Sequence, residues 1–196
     1  IKHFDIFEQV LHLIESGFSS IHWQIDAGFY VFDYDKEKLA IFVERYNKSI
    51  TKLIDLWVEN MKQNKKVLKL YPFIGITESL LKKEKTMLRC GAGHSGYAIR
   101  TDGKIISCPI MSWIEEFIIG DLNSNPNEIK RFQFAERCKN CNIKDICGGR
   151  CLYWNYLSLW PEDGNKLICK TIEHLVIQLQ NRISEISGLI EKKIIS

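Results

Sequence analysis

CKNCNIKDICGGRC, residues 138–151, places Cys138, Cys141, Cys147 and Cys151 within fourteen positions, with the pair Gly148-Gly149 between the last two. Three further cysteines, Cys90, Cys108 and Cys169, bring the total to seven. An odd number of thiols in a chain that opens on IKHFDIFEQV, which has no secretory signal, argues against a disulfide framework. Scattered structural thiols do not account for four in so short a span. The spacing x2, x5, x3 points to ligation.

Zinc is one occupant to weigh, since Cys138-x2-Cys141 makes a natural chelating turn. A four-cysteine ribbon joins two such turns across a longer spacer, whereas here five residues separate the pairs and the second pair is spaced x3. An iron-sulfur cluster is wider, and its ligands come from wrapped loops with short uneven spacings, which suits this stretch better. Gly148 and Gly149 are expected to let backbone N–H groups turn toward cluster sulfurs.

Outside this stretch the chain reads as ordinary soluble protein. It has 196 residues, 45% hydrophobic and 26% charged, enough for one core or one core with a small module. Its net charge of +3 comes from 27 basic and 24 acidic residues spread along the chain, which carries no footprint of nucleic-acid binding. No apolar run approaches the roughly eighteen residues of a membrane span, so a cytoplasmic location is the default. Ile1 is not a start methionine and a helical pattern begins at once, so the chain is expected to be the C-terminal piece of something longer.

Upstream of the cysteines the pattern alternates helix and strand. Residues 2–16 read as an amphipathic helix with Phe4, Phe7, Val10, Leu11 and Ile14 on one side. In SIHWQID, residues 20–26, a strand would place Ile21, Trp23 and Ile25 on one face and His22, Gln24 and Asp26 on the other. Asp33 or Asp35 then caps a long helix over about 36–63, and Val67–Ile74 reads as a second strand. This order is that of a parallel α/β sheet, and two strands cannot close its core. Parallel strands are normally apolar on both faces, so the polar face of His22, Gln24 and Asp26 suggests a barrel interior lining a polar ligand; an edge position that leaves the face wet is the alternative.

After Lys85 the helical period stops. In YAIRTDGKIISC, Asp102-Gly103 is read as a two-residue hairpin turn, which pairs Tyr97 with Cys108 and returns Cys108 toward Cys90. The polar loop NSNPNE leads to a short helix and the cysteine stretch, and a last helix spans about 164–193 with Cys169 in its first turns. There is no internal repeat.

Taken together, Cys90-x12-Gly103-x4-Cys108, a gap, Cys138-x2-Cys141-x5-Cys147-x3-Cys151, a gap and Cys169 resembles the seven-cysteine signature of SPASM domains, the C-terminal auxiliary-cluster domains of radical SAM enzymes that modify peptides and proteins. IGDL at 119–122 and CGGRC at 147–151 resemble family wording as well. The resemblance implies two [4Fe-4S] clusters. Cys138, Cys141, Cys147 and Cys169 would hold the outer one, and Cys90, Cys108 and Cys151 the inner one, whose remaining place has Glu84 or His94 as candidates.

It further implies a layout: residues 1–85 as the end of a partial (β/α) barrel, 86–169 as a small α+β SPASM iron-sulfur domain, and 170–196 as a C-terminal helix. His22, Gln24 and Asp26 would then line the barrel near S-adenosyl-L-methionine or substrate. In such enzymes a cluster held by C-x3-C-x2-C reduces SAM by one electron, and the resulting deoxyadenosyl radical takes hydrogen from a peptide or protein substrate. A reductant such as ferredoxin or flavodoxin supplies electrons, and the auxiliary clusters carry them. This sequence has no C-x3-C-x2-C, since Trp154 stands where Cys147-x3-Cys151 would need its third cysteine, so it would not start the reaction alone. Members that mature sulfatases carry aspartate directly after the cysteine matching Cys108, where this chain has Pro109. Formylglycine formation is thereby disfavoured relative to a thioether or carbon-carbon crosslink. Rival readings are a stand-alone iron-sulfur electron-transfer or peptide-binding module and a zinc-binding interaction domain. Tyr97, Arg100, Tyr153 and Trp154 flank the cysteines, either as a peptide channel or, as is commoner, as packing.

Overall fold

The computed structural model describes residues 5–25 and 34–195. The described residues divide into two compact units, one built from 5–25, 34–84 and 160–195, the other from Lys85–Leu159.

The first unit follows the helix-strand grammar. Helix α1 (Ile6–Glu15) starts at Asp5, whose side chain accepts the Phe7 N–H at 2.9 Å. Strand β1 (Ser20–Ile21) pairs in parallel with β2 (Lys69–Leu70), Ser20 opposite Lys69 and Ile21 opposite Leu70. Between them runs α2 (Lys36–Asn64), whose stripe Leu39, Val43, Ile50, Leu53, Ile54, Trp57, Val58 and Met61 is buried. Helix α3 (Tyr71–Lys82) follows β2 directly, and α6 (Glu162–Glu191) packs along both α2 and α3. Trp57 ties the core together. Its ring meets Phe73 edge-on at 5.5 Å, and its indole N–H donates to the Leu68 carbonyl at 2.8 Å.

Two expectations need correction. The strand expected over Val67–Ile74 stops at Leu70, because Tyr71-Pro72 opens α3. Proline suits a helix's first turn, where its missing N–H would have had no partner and its φ is already helical. The strand expected over 20–26 is paired only at Ser20 and Ile21, although the alternation persists in burial: Ile21 is buried, Trp23 and Ile25 half-buried, His22 and Gln24 exposed. Asp26 lies outside the described residues.

The cap of α2 carries a pH dependence. Asp35 accepts the Lys38 N–H at 3.0 Å and pairs with the Lys38 ammonium at 3.1 Å. The backbone bond first, then the ammonium, hold its carboxyl below the usual range. A group whose folded pKa is depressed stabilises the fold fully above its unfolded value, about 3.9 for aspartate, and loses that contribution as pH falls through the folded value. Thermal unfolding followed from pH 7 into the acid range should therefore show a loss beginning below about pH 4 that is smaller in Asp35→Asn, which keeps a capping acceptor without the charge.

The second unit is a three-stranded antiparallel sheet, order β3 (Ala98–Ile99), β4 (Lys104–Ile106), β5 (Ile118–Asp121), with two short helices, α4 (Lys144–Cys147) and α5 (Leu152–Leu157). The hairpin is real but its register is one residue away from expectation. Ala98 faces Ile106 and Ile99 faces Ile105. Continuing that register puts Ser107, not Cys108, opposite Tyr97. The loop has three residues, with Gly103 N–H donating to the Arg100 carbonyl at 3.0 Å and Arg100 N–H to that of Lys104 at 2.9 Å. Gly103 alone takes positive φ, +81°, the geometry of a type I turn closed by a glycine bulge. A glycine satisfies either turn, but the count of residues between strands sets which side chains face each other. The short helix expected before the cysteines is a single 3-10 turn, Glu136–Cys138. Leu88, Met111, Phe117, Phe132, Leu152 and Tyr153 form the core, with Cys108 among them. Among the described residues no helix is long and apolar enough to cross a membrane.

Candidate metal centre

Six of the seven cysteines belong to the second unit, on segments that its core holds in place. Cys90 leads a loop laced by glycine contacts: Gly93 N–H to the Gly96 carbonyl at 2.9 Å and Gly96 N–H to that of Gly91 at 2.8 Å. The loop is seated by Phe132 N–H donating to the Gly93 carbonyl at 2.6 Å. A Cβ at Gly93 would stand 2.9 Å from both Leu152 and Phe132, so no other residue fits there. Leu88, two residues before Cys90, is fully buried and donates to the Gly148 carbonyl at 2.7 Å, which ties this loop to the 138–151 stretch.

Cys108 ends the hairpin buried, at the cap of the 3-10 turn Pro109–Met111. Burial pushes its thiol up most, and the thiolates of Cys151 and Cys90 act in the same direction. The N–H groups of Ile110 and Met111 act against them by donating to the sulfur. Pro109 has no N–H, so these are the first two donors available after Cys108. Cys90 and Cys151, far apart in sequence, thus each lie within electrostatic reach of Cys108.

Cys138, Cys141 and Cys147 are set by successive turns: Cys141 N–H to the Cys138 carbonyl at 3.1 Å, Lys144 N–H to that of Cys141 at 3.2 Å, and Cys147 N–H to that of Ile143 at 2.7 Å. Beside them Arg89 donates to the Ile146 carbonyl from Nε at 2.9 Å and from Nη2 at 2.6 Å. Desolvation of its guanidinium lowers its pKa, and the thiolate of Cys147 opposes that shift. The side-chain amide of Asn155 donates to Cys138 Sγ at 3.2 Å.

Of the glycine pair, Gly148 does not offer its N–H as the sequence suggested. Gly148 N–H is used within the chain, on the Lys144 carbonyl at 2.7 Å. Both glycines have positive φ, +66° and +80°, and a Cβ would come 2.8 Å from the Thr86 carbonyl oxygen at Gly148 and 2.5 Å from Phe134 at Gly149. They permit close packing of the loop. Tyr153 and Trp154 are buried, with the Arg150 guanidinium 5.3 Å from the Trp154 ring centroid, so both serve packing. Tyr97 is partly exposed and donates to the His94 carbonyl, while Arg100 holds the Ser112 carbonyl at 2.9 Å and pairs with Asp102. His94 Nδ1 lies 3.2 Å from the Phe132 carbonyl oxygen.

Four of the expected positions lie in the first unit. Cys169 is exposed on α6, Glu84 is exposed after α3, and His22 and Gln24 are exposed beyond β1. The donor to the Cys138 sulfur, Asn155, escaped sequence reasoning, as did the backbone amides of Ile110 and Met111 beside Cys108. Backbone amides carry no residue signal, but an asparagine inside the apolar run LYWNYL was a visible anomaly.

No cysteine is in a disulfide. Among the described residues no group of three or more His, Cys, Asp or Glu side chains converges closely enough to hold a metal ion. A single zinc needs every sulfur about 2.3 Å from one point. A cubane presents separate irons at its corners and accepts ligands standing further apart. The Asn155 N–H on Cys138 Sγ and the burial of Cys108 are features compatible with sulfur ligands of an iron-sulfur cluster.

The fold is that of a mixed α/β protein with radical SAM enzymes among its structural neighbours. The solved structure of native anSMEcpe with bound AdoMet aligns with TM-score 0.54 at 17% identity, over 90% of this chain and 53% of that one. Native anSMEcpe with bound AdoMet and Cp18Cys peptide aligns with TM-score 0.53 at 18% identity, over 91% and 55%. The form with Kp18Cys peptide gives TM-score 0.55 at 16% identity, over 90% and 53%. At such identities the likeness is one of fold, and the chain spans about half the length of these neighbours. No family model matches the chain, and no curated protein does.

Proposed function

We propose that this chain is the auxiliary-cluster-binding part of a radical SAM enzyme that modifies a peptide or protein. In this reading Cys90, Cys108 and Cys151 hold one [4Fe-4S] cluster. Cys138, Cys141 and Cys147 belong to the second, whose fourth place is the one the seven-cysteine pattern gives to Cys169. Clusters of this kind supply single-electron transfer between a reductant and the reacting peptide. The chain's own residues contribute the rest. Thiolates ligate, the side-chain N–H of Asn155 bonds to the Cys138 sulfur, and the core of Leu88, Phe117 and Phe132 keeps water from one side.

The observation that carries the reading is that Cys90 and Cys151 both act electrostatically on the buried Cys108, the three being the positions the seven-cysteine resemblance assigns to one cluster. The fold likeness supports it: the neighbours are radical SAM maturases solved with AdoMet, two of them with peptides. His22, Gln24 and Asp26 are proposed to face AdoMet or substrate in the whole enzyme. Pro109 after Cys108 still weighs against formylglycine formation.

Anaerobic reconstitution tests this directly. Purified chain treated with iron and sulfide should turn brown and retain two clusters' complement of both, by iron and acid-labile sulfide assay. A colourless product holding zinc without sulfide would overturn the assignment.

A further inference from the structure

Asn155 sits where two cysteine sets meet. Its backbone N–H donates to the Cys151 carbonyl at 2.8 Å, one turn into α5, while its side chain reaches the other set at Cys138. The residue is 3% exposed, so water does not compete for its amide. Both donor places of that amide and one lone pair of its oxygen are taken: Oδ1 accepts the Ala135 N–H, and Nδ2 donates to the Gly149 carbonyl at 3.1 Å and to Cys138 Sγ at 3.2 Å. Turning the amide over would set Oδ1 against the Gly149 carbonyl and Nδ2 against the Ala135 N–H. Both encounters are repulsive, so the backbone fixes which way the amide faces. The second Nδ2 hydrogen is thereby committed to sulfur.

We infer that Asn155 is a positioning residue that aims the Cys138 sulfur and raises the reduction potential of the cluster it ligates; this rests on the cluster-binding reading above. The physical reason is charge. Taking up one electron adds negative charge that spreads onto the ligand sulfurs, and an N–H donor stabilises that reduced state more than the oxidised one. A strut alone would need only the bonds to Ala135 and Gly149, and would leave the potential unmoved by loss of the third.

The test compares Asn155→Asp, which keeps the acceptor for Ala135, and Asn155→Leu, which is uncharged, with wild type. Each is reconstituted anaerobically, assayed for iron and sulfide, and reduced by titration with dithionite as electron source, with EPR as readout. Both Asn155 variants should shift one of the two clusters to lower potential, with a several-fold loss in its reduction equilibrium (tenfold is about 59 mV for one electron). The other cluster should hold its value. Full iron and sulfide with unmoved potentials would overturn the inference and leave the cluster reading standing. Wild type that takes up no iron and sulfide would sink the reading itself. Should both Asn155 variants fail to assemble the cluster, wild type decides. Protein labelled with 15N at asparagine side-chain amides should give a nitrogen coupling in pulsed EPR that persists in Asn140→Ala and Asn142→Ala, and its absence would overturn the inference.

Discussion

Cys108→Ala is expected to leave the reconstituted protein with roughly half of the iron and sulfide that wild type retains, since one of two clusters is lost. Cys108 is buried, and Cys90 and Cys151 both act on it electrostatically. No neighbouring side chain replaces it, and the inner set already has only three thiolates. Cys138→Ala should remove the other half, with a different EPR signal surviving. Each variant should also melt earlier than wild type, because ligation substitutes for core in so small a unit. Retention of wild-type iron, sulfide and melting temperature by Cys108→Ala would refute the ligand assignment.

Phe132→Ala should destabilise the second unit by about 3–5 kcal/mol, the usual cost of truncating a buried aromatic ring. Phe132 is 1% exposed, stacks on Phe117 at 5.1 Å and meets Tyr156 edge-on at 5.3 Å. Its backbone N–H seats the loop that carries Cys90. A loss of that size is most of what a small core supplies, so chemical denaturation should show the unit largely unfolded without clusters. Iron uptake should fall with it. An unchanged unfolding midpoint would mean that the aromatic cluster is not the floor of the site.

Local features of the first unit were legible because their causes are local. The apolar period and Asp35 gave α2 its stripe and its start, and the alternation of Ile21, Trp23 and Ile25 survives in their burial. Val67–Ile74 misled because an apolar run of that length suits strand or helix alike, and only Pro72 hinted at a helix start. The hairpin failed by one residue because Gly103 serves a two-residue turn and a three-residue loop equally well.

By itself the sequence determined the donor chemistry: seven thiols, four of them in one short stretch, at separations that neither a disulfide framework nor a zinc ribbon accounts for. Spacing along a chain limits which groups can share a ligand, since a few residues span only a few ångströms. Only the tertiary structure decided that Cys90 and Cys151, sixty-one positions apart, both come within electrostatic reach of Cys108, that α6 lies along α2 and α3, and that Asn155 turns an N–H toward Cys138. Those outcomes depend on which apolar faces bury each other and which buried polar groups find partners, and both are settled by contacts between distant segments.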